Sequence, residues 1–178
     1  MARVPYAEDS AHPELAGRIR DQRGGTLLNL YRMLLNSPPV AEGWLSLLTA
    51  VRQQCALPAL YRELVILRVA VLNDAPYEFG VHVPFARREG MTDEQIEALR
   101  VLPAGAQAEA TAAFDPVMGA VLRYVDSMTR EIHVPDDIFQ SVSAHFPTRE
   151  MVELTVTVAA YNMVSRFLEA LHMDPEPA

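Results

Sequence analysis

An acid and an imidazole stand four residues apart in Tyr77-Glu78-Phe79-Gly80-Val81-His82, among aromatic rings. On a helix that spacing places Glu78 and His82 on one face. A second acid, Glu63, lies in Ala59–Leu72, which is nearly all apolar except at Arg62, Glu63 and Arg68. Such a stretch reads as a central helix, apolar on almost every side. Across the short turn Asn73-Asp74-Ala75-Pro76, Glu63 can meet Glu78 and His82. Two carboxylates and an imidazole in an apolar wall can divide acid and base roles, which is the basis of general acid–base catalysis. The competing reading is an ordinary helix ion pair at a half-buried surface.

Other residue types complete the candidate site. Tyr77 and Phe79 flank the acid and could wall a substrate. Arg68, Arg88 and Arg166 are three candidates for gripping a carboxylate through paired N–H donors. On the last apolar stretch, Tyr161, Asn162 and Arg166 either line the same pocket or satisfy core hydrogen bonds. Pro84 cannot bond the carbonyl of Gly80, so that carbonyl is a further candidate to orient an imidazole, a water or a substrate. The Glu-x-x-His repeat of dinuclear carboxylate proteins is missing, so no metal is expected. His12, His133, His145 and His172 read as surface or capping residues. The single cysteine, Cys55, cannot make an internal disulfide or a Cys-x-x-Cys pair, and reads as a small hydrophobe.

The elements that must hold these residues are helical throughout, for strand-type alternation and hairpin dipeptides are scarce. A short helix is expected from Pro13 to Gly24-Gly25, and a second near residues 27–35. A third, over 40–55, should turn Trp44, Leu47, Leu48 and Val51 inward together. After 59–72 comes a helix closed by Gly90, and then one opened by the capping box Thr92–Gln95. Residues 103–115 read as a connector. Helices follow Pro116 and Pro135, and Thr148 should cap a long apolar one. Residues 1–12 are expected to form an arm, 13–173 a single all-α domain, and 174–178 a frayed tail.

Half of the 178 residues are apolar and 21% are charged, with a net charge of −8. An acidic chain lacks the basic face that nucleic acid or an anionic membrane requires. No apolar run reaches the ~20 residues that span a bilayer, and the first residues lack a secretory apolar core. The expectation is a cytoplasmic protein acting on a small molecule, with no nucleic-acid or membrane partner.

YRELVILRVAVLNDAPYEFGVHVPFARREGMTDEQIEAL resembles the core of the carboxymuconolactone decarboxylase family, which includes the AhpD-like alkylhydroperoxidases. The resemblance is carried by Arg62-Glu63-Leu64, by Tyr77-Glu78-Phe79 with His82, and by Arg87-Arg88 with Gly90-Met91-Thr92-Asp93-Glu94. It implies an AhpD-like helical bundle whose subunits form trimers or hexamers. The family's peroxidase branch places a glutamate, then Cys-x-x-Cys, then a histidine four residues on. By position the glutamate is Glu63 and the histidine His82, but the cysteines fall on Ala75 and Glu78. A thiol mechanism needs both an attacking and a resolving sulfur. What the resemblance then implies is a cofactor-independent lyase or isomerase acting on a small cyclic carboxylate or lactone. His82, Glu63 and Glu78 would carry the proton transfers. The alternatives are an oligomeric small-molecule-binding protein without chemistry and, furthest from the motif, a Cys55-dependent antioxidant.

Overall fold

The computed structural model describes residues 1–105 and 113–176. Most of the connector expected at 103–115 therefore lies outside the described residues. Every regular element among those described is helical: α1 (Pro13–Gln22), α2 (Asn29–Leu34), α3 (Pro38–Thr49), α4 (Ala59–Leu72), α5 (Pro76–Arg88), α6 (Asp93–Val101), α7 (Pro116–Arg130), α8 (Asp136–Ser143) and α9 (Thr148–Leu171). None of them is long and apolar enough to cross a membrane.

Proline opens α1, α3, α5 and α7 within their first two positions, where its missing N–H has no helical partner to lose. Thr92 and Gln95 form the expected reciprocal capping box on α6. Gly90 follows α5 at φ +101°, a conformation that needs glycine. Asp74 turns the chain between α4 and α5 at φ 52°, in the left-handed region that aspartate tolerates better than most residues.

The chain groups into two compact units. One comprises Met1–Gln54 with Phe167–Ala178. Its core includes Leu15, Ile19, Tyr31, Leu34, Leu35, Trp44 and Leu48, with the Trp44 and Phe167 rings 5.2 Å apart. Leu47 departs from the expected inward stripe: it is exposed, and Leu45 is buried instead. The buried residues of α3, Ala41, Trp44, Leu45 and Leu48, recur at i, i+3, i+4 and i+7, which leaves Leu47 off the stripe. The helix then loosens into a π-helical turn, Ala50–Gln54. The tail expected to fray is bonded as far as Glu176, whose carboxylate accepts the Asn29 backbone N–H at 2.9 Å.

The other unit, Cys55–Arg166, holds all the candidate site residues. Residues Glu63 to Ala70 of α4 are buried without interruption, as the sequence predicts for a central helix. Helices α5 and α7 pack directly on α4. Two charges, Glu63 and Arg68, are thereby taken out of water on one helix, and each must find partners inside the protein.

Candidate active site

Helix α4 presents Glu63 to α5, where His82 sits on the buried side. Glu63 is 3% exposed and His82 5% exposed. Glu63 Oε2 lies 2.8 Å from His82 Nδ1. An ionised carboxylate only accepts, so the imidazole donates Nδ1–H and Nε2 becomes its basic nitrogen. The Tyr161 ring, from α9, meets the imidazole edge to face at 5.3 Å and 88°. Phe85, one turn further along α5, lies 5.7 Å from it. The pair is thus oriented by a direct hydrogen bond and walled by two aromatic rings.

Glu78 shares the buried face of α5, as expected, but its carboxylate is engaged elsewhere. The Ser165 hydroxyl donates a short hydrogen bond to Glu78 Oε2 and also lies 2.9 Å from the Tyr161 carbonyl. The spacing explains the arrangement. Glu78 and His82 are one helical turn apart, as are Tyr161 and Ser165, so the facing helices meet at two successive rungs. The expected trio therefore resolves into a Glu63–His82 pair and a neighbouring Glu78–Ser165 pair. Ser165 was not anticipated. Its signal in the sequence is a hydroxyl one helical turn after Tyr161, on the same face.

Several expected binding residues are otherwise occupied. Arg68 is fully buried and forms a forked pair with Asp126 of α7, Nε to Oδ1 at 2.6 Å and Nη2 to Oδ2 at 2.7 Å. Its remaining donors reach the carbonyls of Leu102 at 2.8 Å, Pro103 at 3.1 Å and Leu99 at 3.4 Å. All five guanidinium N–H groups have protein acceptors, so Arg68 is a structural clasp and not a substrate ligand. Asn162 is likewise spent. Its Oδ1 accepts from Asn73 at 3.0 Å and Arg166 at 2.8 Å, and its amide donates to Thr129 and to the Val158 carbonyl. Arg166 is exposed and tied to Asn162. Arg88 is exposed and stacks over Phe85 at 5.0 Å, a ring removed from His82. Phe79 is buried under the Arg100 guanidinium at 4.0 Å and forms no part of the His82 wall. Tyr77 is half-buried in the first turn of α5. Gly80 and Pro84 are both exposed, so the carbonyl that Pro84 frees belongs to the outer side of α5, away from the buried imidazole.

Cys55 is half-buried, and burial, reinforced by the charge of Glu153, pushes its thiol above the ordinary value. A raised thiol is a poor nucleophile at neutral pH. Among the described residues, no group of three or more His, Cys, Asp or Glu side chains is placed to hold a metal ion.

The model of the carboxymuconolactone decarboxylase family matches residues 38–124, a span that includes Glu63, Glu78 and His82. No curated protein matches the chain in sequence. Solved structures do match in fold. The AhpD core of a peroxidase-related protein from Ralstonia eutropha JMP134 superposes with a TM-score of 0.82 at 18% identity, covering 98% of this chain and 92% of its own. A cysteine-to-alanine variant of the debrominase Bmp8 in complex with 2,3,4-tribromopyrrole gives 0.80 at 14% identity, covering 99% and 94%. A protein of unknown function from Agrobacterium tumefaciens, for which an AhpD role in antioxidant defence has been suggested, gives 0.72 at 23%, covering 82% and 96%. At these identities the likeness establishes an AhpD-like helical fold.

Proposed function

We propose that the chain, whose residues 38–124 match the model of the carboxymuconolactone decarboxylase family, is a cofactor-independent lyase or isomerase acting on a small cyclic carboxylate or lactone. The observation that carries this reading is the buried 2.8 Å contact between Glu63 Oε2 and His82 Nδ1. A glutamate that fixes the imidazole tautomer leaves a nitrogen of defined basicity for proton transfer. In a decarboxylation, the bond to the carboxylate carbon breaks and CO2 departs. The electron pair delocalises into the adjoining lactone as an enolate. The imidazolium of His82 then delivers its Nε2 proton to the carbon that lost CO2, and the neutral imidazole is reprotonated from solvent. In an isomerisation, the same nitrogen takes a proton from one carbon and returns it to another. Glu63 remains ionised throughout and stabilises the imidazolium.

The peroxidase chemistry of related AhpD proteins is not part of this reading. Ala75 and Glu78 stand at the two cysteine positions of the resemblance, and Glu78 is held by Ser165. The bound tribromopyrrole of the Bmp8 complex supports a small ring as the substrate class. Incubation with a panel of carboxylated five-membered lactones, read as CO2 release and loss of mass, tests the proposal. Turnover by the wild type that vanishes in His82→Ala is expected. Turnover surviving that substitution contradicts it.

Self-association is favoured by one feature of α9. Val152, Val156, Ala159 and Met163 are exposed and recur at the 4-3-4 spacing of a helix-packing seam. We assign this seam to a second copy of the chain, in keeping with the trimers or hexamers that the family resemblance implies. Light scattering should give a mass above 19.8 kDa for the wild type and a smaller one for Val156→Glu. A monomeric wild type contradicts the assignment.

A further inference from the structure

None of the three arginines picked out in the sequence for binding a substrate carboxylate is suited to the task. Arg68 is saturated, Arg166 is tied to Asn162, and Arg88 lies outside on Phe85. A fourth arginine adjoins the pair directly. Arg62 precedes Glu63 on α4, and its side chain is 13% exposed. Its Nε lies 3.8 Å from Glu63 Oε1, while His82 Nδ1 meets the other oxygen, Oε2. Arg62 and His82 therefore flank one carboxylate from its two sides.

The hydrogen bonding of Arg62 differs from that of Arg68 on the same helix. Its Nε is buried with no hydrogen-bond acceptor, and 3.8 Å is ion-pair distance, too long for a hydrogen bond. Among the described residues no other group accepts a hydrogen bond from this guanidinium. The Nε–H of this guanidinium, withdrawn from water, carries an unmet demand for an acceptor. Glu63 Oε1, 3.8 Å away, does not meet it. The shape and charge of the missing acceptor are those of a carboxylate, which takes two parallel N–H bonds from arginine.

We propose that Arg62 is the substrate-binding residue of this site, gripping the carboxylate of an anionic ring substrate and so holding its reacting carbon toward His82. The inference rests on the lyase reading for its reaction, but binding is tested apart from turnover. An arginine on the carboxylate also constrains which group leaves. If the gripped carboxylate is the one lost as CO2, a forked pair would stabilise the ground state against loss of charge. The gripped group is then a second carboxylate or the ring carboxylate retained in an isomerisation, which selects substrates bearing an anion that survives the reaction.

The probes are 5-oxotetrahydrofuran-2-carboxylate and its uncharged methyl ester, titrated separately into the wild type, Arg62→Gln and Arg62→Lys while ring signals of His82 are followed by NMR. The wild type should bind the acid at least about 10-fold more tightly than the ester, as expected when a paired charge is lost. Arg62→Gln should erase that preference and leave ester affinity within about two-fold. Arg62→Lys should retain part of it, since the charge remains but the fork does not. In the wild type the Arg62 Nε–H resonance should move on adding acid and stay in place with ester, a readout independent of how the variants fold. Equal binding of acid and ester by the wild type, or an acid preference undiminished in Arg62→Gln, overturns the proposal. Acid preference together with no turnover of any carboxylated lactone in the panel upholds the Arg62 subsite and rejects the lyase reading. Turnover with an acid preference that ignores Arg62 does the reverse.

Discussion

Helix α4 carries two buried ionic groups that solve the same problem in opposite ways. Arg68 meets Asp126 through two bonds, and three backbone carbonyls take up its other donors. Asp126 is completed in turn by the Gly105 N–H at 2.7 Å. Five residues earlier, Glu63 holds His82 on one oxygen, while Arg62 stands beside the other at ion-pair distance without a hydrogen bond. The first cluster is closed: every strong donor has an acceptor within the protein. The second leaves the Nε–H of Arg62 buried without an acceptor. Burial alone therefore does not mark function. A buried charge whose bonds are complete supports the fold, and one whose bonds are incomplete is a candidate to bind a ligand.

That contrast can be tested by breaking each cluster. Asp126→Ala leaves Arg68 charged and deeply buried, and should cost about 3–5 kcal/mol of stability by denaturant unfolding. A loss below about 1 kcal/mol would mean that the clasp is not what holds α4 to α7. In the open cluster the effects should be reversed. Glu63→Gln keeps an oxygen near His82 and should cost about 1 kcal/mol of stability. Turnover should nevertheless fall about 100-fold or more once a substrate is known, since the tautomer is no longer enforced. A variant that unfolds readily yet turns over normally would exchange the two roles. Ser165→Ala, which strips the Glu78 carboxylate of its short bond, should destabilise by about 1–3 kcal/mol and affect rate less than Glu63→Gln does. Smallest of all should be Cys55→Ser, with activity unchanged and little shift in melting temperature. Burial holds the Cys55 thiol above its ordinary value, so alkylation should be slow at pH 7 and quicken as pH rises. Loss of a peroxide-consuming activity in Cys55→Ser would bring back the antioxidant reading.

The helices were legible in the sequence because their punctuation is explicit. The span 59–72 was expected to the residue, and Gly90 and the Thr92–Gln95 box mark their turn as predicted. The Glu63–His82 meeting was legible too, since a charged residue in a nearly all-apolar helix must pair across a short turn. What escaped was partner choice over long separations. Asp126 lies 58 positions from Arg68 and Ser165 lies 87 from Glu78, and helical periodicity says nothing about such distances. A charge inventory would have helped with one of them. Arg68 and Asp126 are each strongly charged residues set among apolar ones, and two such residues are natural partners. Arg62 stands beside Glu63 in the same apolar helix, and nothing in the sequence signals that its Nε–H is buried without an acceptor.

Proton transfer as proposed depends on Glu63 fixing the imidazole of His82, and a long-range proton–nitrogen NMR correlation of that ring tests this directly. The wild type should show Nδ1 protonated and Nε2 as the bare nitrogen in the neutral form, with the preference lost or mixed in Glu63→Gln. A neutral ring protonated at Nε2, or one whose tautomer is indifferent to Glu63, would contradict the account.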